Sequence, residues 1–385
     1  MPTSDHPYVY IDHDEALIAL ANEMEGHERV GLDTEADSLH HYYEKVCLIQ
    51  LSLGEDNYII DPLADMDLAP FLSRLSQKRI VLHGSDYDLR ILRSDFGFKP
   101  ENGIFDTMLA AQILGHEQLG LAALVKQYFD MTLTKQGQKF NWSMRPLPES
   151  QLVYASDDTR YLLPMADRMI QGMQALGREG WHQESCDALI QYTRTDRAPP
   201  DPDQIWKIKG LKTFSRKELV FVRSLWHWRE KEAQQSNTPA FKILGNAFLL
   251  NLASCAAAYP DDWLENCPKL PRTCRGNRFE KLKQAVAEAK NLPKDEWPKL
   301  RKKAYVPLTD LELNQINMLR KACSKMADRL KITPSVIASR ASIEAIVKTM
   351  PRNLDEVMEN GRMTRWQAEL LMEEIQKVLS TPESE

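Results

Sequence analysis

Five residues in the first half of the chain have the types and spacing for phosphodiester chemistry. Asp33 and Glu35 stand in Asp33-Thr34-Glu35, closing a strand-like run. Residues i and i+2 of a strand point to one face, so the two carboxylates lie side by side. Like charges that close raise each other's pKa and are costly unless a cation joins them. Asp88 follows in His83-Gly84-Ser85-Asp86-Tyr87-Asp88, where a strand gives way to a glycine turn and then a helix. Asp86 fits the cap of that helix; Asp88, two residues further in, is explained less easily by capping. Tyr154 and Asp158 are four apart on a late helical segment and share one helix face, with Asp157 turned toward solvent. Each feature is weak alone, since a lone DxE or an acidic helix face is common. In this order they supply four carboxylates and one phenol. Two divalent ions, Mg²⁺ or Mn²⁺, about 4 Å apart need that much negative charge and must keep positions open for phosphate and water. A tyrosine with its ordinary pKa of about 10 suits the orientation of a water better than the role of base.

The elements around these residues read as α/β with a mixed sheet. Arg29–Leu32, Val46–Leu53 and Tyr58–Ile60 are strand-like runs joined by short turns, which predicts an antiparallel meander. Ile80–His83 predicts another strand and Asp86–Phe96 a helix after it. Asp106 is read as the N-cap of the helix in FDTMLAAQILG, and Gly120 precedes a helix in LAALVKQYF. A long helical pattern runs from Glu149 to about Leu176, with Pro164 expected to kink it.

Arg194–Gln204 is polar, holds three prolines and reads as a linker. Beyond it the pattern is helical throughout. Leu219, Val222, Trp226 and Ala233 share one face, and Ile316, Leu319, Cys323, Met326 and Leu330 form an apolar stripe. Thr238-Pro239 and, 95 residues later, Thr333-Pro334 each follow a basic amphipathic helix and precede an apolar stretch. Thr as N-cap with Pro at the first helical position is a sound helix start, and two small bundles of similar design would explain the repeat.

Charge divides the chain in the same place. Residues 1–200 hold 31 acidic and 17 basic side chains, and residues 201–385 hold 24 and 32. An acidic half that needs cations and a basic half that meets a polyanion is the functional reading; two differently solvated surfaces is the plain one. The six cysteines include no CxxC pair, which argues against a zinc site and suits scattered thiols in a reducing compartment. No apolar run is long enough to span a membrane, and the first residues read as neither a secretory signal nor a transit peptide. A cytoplasmic protein is expected. Oligomeric state leaves no signal, and a monomer is the default.

The order of acidic residues resembles that of the DEDDy exonucleases, which have an RNase H-like fold. Trp142-Ser143, Arg145-Pro146-Leu147, Gln151 and Tyr154-Ala155 narrow the resemblance to ribonuclease D, and the helical half is similar to two HRDC domains. The resemblance covers nearly the whole chain. It implies an exonuclease domain over 1–200 and HRDC domains over 205–295 and 305–382. It implies that Asp33, Glu35, Asp88 and Asp158 bind two divalent ions and that Tyr154 positions the water. It also implies 3′→5′ hydrolysis of RNA to nucleoside 5′-monophosphates, with tRNA precursors bearing free 3′ ends as typical substrates. Asn141, where the family often has Asp, and Asp157, where a small residue is usual, depart from the pattern without touching the carboxylates. Lys135, Gln138 and Lys139 are candidate contacts for the terminal nucleotide, His83 is a weaker one, and Tyr42 and Tyr43 are candidate stacking residues; loop or core roles serve each as well. Two other functions stay open: a 3′→5′ DNA exonuclease of the RecQ-associated type, which would use the same carboxylates, and a non-catalytic RNA-binding protein.

Overall fold

The computed structural model describes residues 8–134, 137, 139–195, 201–300 and 307–380. They fall into two compact units: one within residues 1–36, 46–196 and 306–385, the other within 37–45 and 197–305.

The first unit is built on a six-stranded sheet. Its strands are β1 (Val9–Ile11), β2 (Arg29–Ala36), β3 (Val46–Leu53), β4 (Asp56–Ile60), β5 (Arg79–Leu82) and β6 (Ile104–Asp106). Their spatial order is β1-β4-β3-β2-β5-β6, with β2, β3 and β4 antiparallel and the other pairings parallel. The predicted meander is therefore the centre of a mixed sheet. All eight residues of β3 are buried, as a strand covered on both faces requires. Side chains alternate between two cores. Val30, Leu32, Ile49, Leu51, Ile80 and Leu82 face one, while Leu48 and Ile59 pack with Trp142, Tyr154 and Ala155 on the other.

Eight helices accompany the sheet: α1 (Asp14–Glu23), α2 (Ala69–Ser76), α3 (Asp86–Phe96), α4 (Thr107–Leu114), α5 (Leu121–Phe129), α6 (Glu149–Arg160), α7 (Leu162–Leu176) and α8 (Glu179–Arg194). Two expectations change here. The long helix is broken at Tyr161 rather than kinked. A proline ring excludes the carbonyl four residues earlier, so α6 ends at Arg160 and Pro164 falls in the first turn of α7, where its missing N–H is not needed. The cap of α3 is Ser85, not Asp86, which instead pairs with Arg90 one turn on.

The helical half contains the repeat twice over. In the second unit α9 (Pro202–Ile205) is followed by α10 (Arg216–Gln235), α11 (Ala240–Ile243), α12 (Asn246–Ala258), α13 (Trp263–Asn266) and α14 (Asn277–Asn291). In the first unit the later copy runs α15 (Asp310–Leu330), α16 (Pro334–Ile337), α17 (Arg340–Thr349), α18 (Leu354–Gly361) and α19 (Arg365–Leu379). The long helices α10 and α15 both open with a capping box, Ser215 with Glu218 and Thr309 with Glu312. The Thr-Pro dipeptides differ in detail: Thr333 is the N-cap of α16, whereas Pro239 itself occupies that position before α11. Trp226 and Trp228 are bundle core, as are Leu219, Val222 and Ala233. Residues 37–45 are tied to this bundle: the Tyr42 and Tyr43 amides donate to the Asn237 side chain, and Gln234 donates to the Tyr42 hydroxyl.

The later bundle is joined to the sheet domain through α8. Trp181 and Trp366 stack with centroids 4.6 Å apart and planes 10° from parallel. The Trp366 indole donates to Ser185, its backbone amide donates to Glu184, and Arg178 donates to the carbonyls of both Ile113 and Leu330. A Cβ on Gly115 would lie 1.9 Å from the Lys331 carbonyl oxygen, so only glycine admits this approach.

The cysteines are not six isolated thiols. Cys255 in α12 and Cys267 after α13 form a disulfide, bridging backbones that the α12–α13 turn brings to a Cα separation of 5.6 Å. Cys47, Cys186, Cys274 and Cys323 are buried thiols.

Candidate active site: four carboxylates and a tyrosine

Strand β2 delivers the first two acids. Asp33 and Glu35 emerge on the face covered by α6, as the two-residue repeat of a strand requires. Asp158, on α6, meets them: Asp33, Glu35 and Asp158 each bring a ligand oxygen within 4.8 Å of the others. Asp88 lies in the first turn of α3, is buried, and accepts a 2.6 Å hydrogen bond from the Thr34 hydroxyl between the two β2 acids. Its charge reaches all three of the other carboxylates. Tyr154 lies one turn before Asp158 and hydrogen-bonds to it. Asp157 does not face open solvent; it pairs with Arg160 at 3.3 Å and its side chain is only 19% exposed.

The electrostatics follow from this crowding. Burial first, then the charges of Asp88, Asp158 and Glu35, hold the Asp33 carboxyl well above the usual range. Burial and the neighbouring Asp158 and Asp88 push Glu35 up to about 9. Burial raises Asp88 to about 6 against the opposing hydrogen bond from Thr34. Asp158 rises to about 7 through burial, with Asp157 and Asp88 adding to it and the Tyr154 hydroxyl opposing. Tyr154 itself is raised by burial and by three carboxylates, so it remains a neutral phenol. Among the described residues, none of the four acids is paired with a lysine or arginine. Four clustered carboxyls, unpaired with any lysine or arginine of the described residues, fit divalent metal ions, whose hard charge prefers oxygen donors.

Other parts of the site had weaker or no signals in the sequence. Asp106 is the N-cap of α4, as expected, but its carboxylate also accepts from the Gly84 amide and from the Ser85 amide and hydroxyl. It thereby fixes the turn that launches Asp88. Gly137 lies against the Tyr154 ring, where an added Cβ would be 2.3 Å from a ring carbon. No sequence signal marks that glycine. Arg145 donates to both oxygens of Asp61 and to the carbonyls of Trp142, Met144 and Cys47. It pins the loop that places Trp142 6.1 Å from Tyr154. Gln50, directly across β3 from Asp33, is fully buried. A lone amide in the apolar run VCLIQLSL was the signal that could have found it.

The remaining candidates separate. His83 is satisfied by the Thr107 hydroxyl at 2.9 Å, which is a turn role. Tyr42 is held by Gln234 and Asn237, and Tyr43 is 61% exposed. Lys139 is exposed; Lys135 and Gln138 lie outside the described residues.

Comparison with known proteins shows the family and the fold. A 3′–5′ exonuclease family matches residues 8–174, and the HRDC domain family matches 218–263 and 312–379. The ribonuclease D of Xanthomonas oryzae pv. oryzae is 30% identical over 328 residues, spanning 83% of this chain and 86% of that one. A protein from Bifidobacterium adolescentis shares the fold with a TM-score of 0.82 at 22% identity, over 99% of this chain and 98% of that one. Escherichia coli RNase D, an exoribonuclease involved in structured RNA processing, shares it with a TM-score of 0.69 at 24% identity, over 97% and 98%. With the sheet, the carboxylates and the two HRDC matches in one chain, this protein belongs to the ribonuclease D family of metal-dependent 3′→5′ exoribonucleases.

Proposed function

We propose that the chain shortens RNA one nucleotide at a time from the 3′ end, releasing nucleoside 5′-monophosphates, and that its substrates are tRNA precursors with free 3′ ends in the cytoplasm. The observation that carries the reading is the convergence of Asp33, Glu35 and Asp158, with Asp88 beside them, where no lysine or arginine among the described residues pairs with them. In this reading those four carboxylates hold two divalent ions, Mg²⁺ or Mn²⁺. Ions bound there supply an activated water and charge stabilisation at the leaving 3′-oxygen. Tyr154, kept neutral by its surroundings, orients the attacking water as donor or acceptor and does not act as base. Gly137 and Trp142 hold the phenol ring in place. Thr34 holds the Asp88 carboxylate directly, and Asp106 holds the Gly84-Ser85 turn before it.

The helical half supplies grip. Residues 205–295 and 305–382 are each taken as one HRDC domain. In the first, a cavity of about 370 Å³ between α10 and α14 is lined by Arg223, Lys231 and Lys281, with Glu232 and Glu288 also at its wall. Cations on a helical surface suit the phosphate backbone of RNA, with affinity that falls as salt rises.

The test is a time course on 5′-labelled single-stranded RNA with Mg²⁺ or Mn²⁺, comparing wild type with Asp33→Asn. A ladder descending from the 3′ end, absent in the variant and in EDTA, is expected. No shortening by wild type under either ion would leave an RNA-binding protein. Faster digestion of a matched DNA strand would make it a DNA exonuclease.

A further inference from the structure

We infer that Gln50 is a positioning residue of the carboxylate site, its carboxamide fixing the Asp33 carboxylate when divalent ions are bound. The inference rests on the reading of Asp33 as a metal ligand and concerns a residue that does not itself ligate.

Gln50 sits in the middle of β3, the most protected strand of the sheet, with 0% of its surface exposed. Among the described residues neither its Nε2 nor its Oε1 has a hydrogen-bond partner. That is unusual for a buried amide, because unmatched polar groups in an interior are costly. A methionine or leucine would fill the same volume without the cost. The next residue along the same face shows how polarity is normally handled there: the Ser52 hydroxyl donates to Asn57 at 2.7 Å and shares a hydrogen bond with the Thr159 hydroxyl at 2.9 Å.

The register says what Gln50 is next to. In the antiparallel β2–β3 pair, Gln50 is directly opposite Asp33, and across β4 it is opposite Ile59. Directly opposed residues leave the sheet on the same face with Cβ atoms about 5 Å apart. The same face is covered by α6, which carries Tyr154 and Asp158. Directly opposite Gln50 the register therefore places one charged group, the Asp33 carboxylate, with Glu35 one pair further along the same face.

A carboxamide suits that position chemically. Lysine or arginine there would compete with the metal, and an acid would add a fifth negative charge. An amide N–H can donate to one carboxylate oxygen and leave the other for the ion, while Oε1 accepts from a water. Outer-shell partners of this kind set the orientation of ligating groups, and their loss typically weakens metal affinity by about 10- to 100-fold.

The experiment is Mn²⁺ binding to the full-length, RNA-free protein, followed by electron paramagnetic resonance of the unbound ion. It compares wild type, Asp33→Asn, Gln50→Met and Gln50→Leu, with thermal melts of each in EDTA. The expected result is a loss of Mn²⁺ affinity by about 10- to 100-fold in both Gln50 variants. Their melting temperatures in EDTA should be equal to or above that of wild type, since an unmatched amide has been removed. Wild-type affinity in both Gln50 variants, with affinity lost in Asp33→Asn, overturns the role of Gln50 and leaves the site standing. Wild-type affinity in Asp33→Asn overturns the site and this inference with it. A fall in melting temperature in EDTA alongside the weaker binding, in both apolar variants, assigns Gln50 to packing and also overturns the inference.

Discussion

Asp61 and Asp33 belong to the same sheet domain and meet opposite company. Asp61 receives two hydrogen bonds from the Arg145 guanidinium, one from the Tyr10 hydroxyl and one from the Leu63 amide. Burial alone would raise its carboxyl, but these donors outweigh it and hold the group below the usual range. Asp33 receives no comparable help; burial and three neighbouring acids push it up. The first carboxylate is spoken for by the protein and fastens a loop. The second belongs to a cluster whose charge the chain leaves for something from outside to balance. A buried acid supplied with donors therefore reads as architecture, and one surrounded by other acids reads as a place for cations.

The sharpest way to break this contrast is to remove one acid from each side. Asp33→Asn should lower the rate of 3′-end shortening by roughly a thousand-fold or more, because several kcal/mol of transition-state stabilisation are lost with the metal site. Retention of more than a tenth of the wild-type rate in single-turnover digestion would place the chemistry elsewhere.

The next effect is on stability without metal. Asp88, Asp158 and Glu35 have folded pKa values raised to about 6, 7 and 9, against about 4 in an unfolded chain. The unfolded state therefore gives up its protons first. Stability from these groups is fully present below about pH 4 and is lost as pH climbs from there through about 9, most steeply where the unfolded acids have ionised and the folded ones have not. In EDTA the melting temperature should fall over that range, less steeply in Asp33→Asn, and saturating Mn²⁺ should flatten it. A flat profile in EDTA would mean that neither burial nor the neighbouring charges raise these acids. Asp61 has the opposite sign: its contribution is present above its unfolded value and disappears as pH falls through its lowered folded value.

Arg145→Met should destabilise the fold by about 3 kcal/mol, as expected when one partner of a largely buried pair is removed and the other stays behind. Urea titration measures it. A loss under 1 kcal/mol would show that solvent reaches Asp61 and replaces the guanidinium.

The smallest of these effects is expected at Gly137. Alanine there must displace the Tyr154 ring or the loop, and a misplacement of about 1 Å at a reacting centre can cost roughly 100-fold. The turnover rate should fall by 10- to 100-fold, about as far as in Tyr154→Phe, with RNA binding unchanged. Wild-type turnover would show that the loop gives way and the ring does not.

The clustered acids were legible because their spacing is periodic. The two-residue step from Asp33 to Glu35 and the four-residue step from Tyr154 to Asp158 map directly onto strand and helix faces. The central meander was legible from its apolar runs and short turns. Strands β1 and β6 were not, because three residues such as Val9–Ile11 carry too little pattern and are defined by the neighbours they pair with. The N-cap position falls at Ser85 rather than Asp86, and neither side chain caps: the Ser85 hydroxyl goes to Asp106 and Asp86 pairs with Arg90, tertiary and side-chain choices that residue type alone does not reveal. Gly137 was invisible because its meaning lies in a ring 17 residues away. The Cys255–Cys267 bridge was missed because proximity across the α12–α13 turn leaves no mark in composition.

The stacked indoles of Trp181 and Trp366 bear on how freely the repeated helical module can be exchanged. Copies of a module are often treated as interchangeable cassettes, but the later copy here is grafted in place. Its Leu330 carbonyl takes a guanidinium proton from Arg178, and its Lys331 carbonyl sits where a side chain on residue 115 would be. A chain cut short after the first copy would uncover one face of Trp181 and strand half the donors of Arg178. Such a truncation would carry a new adhesive patch, and losses seen with it would mix aggregation with weakened grip on RNA. Grafting the earlier copy into the later position would fail for the same reason unless those few docking residues travelled with it.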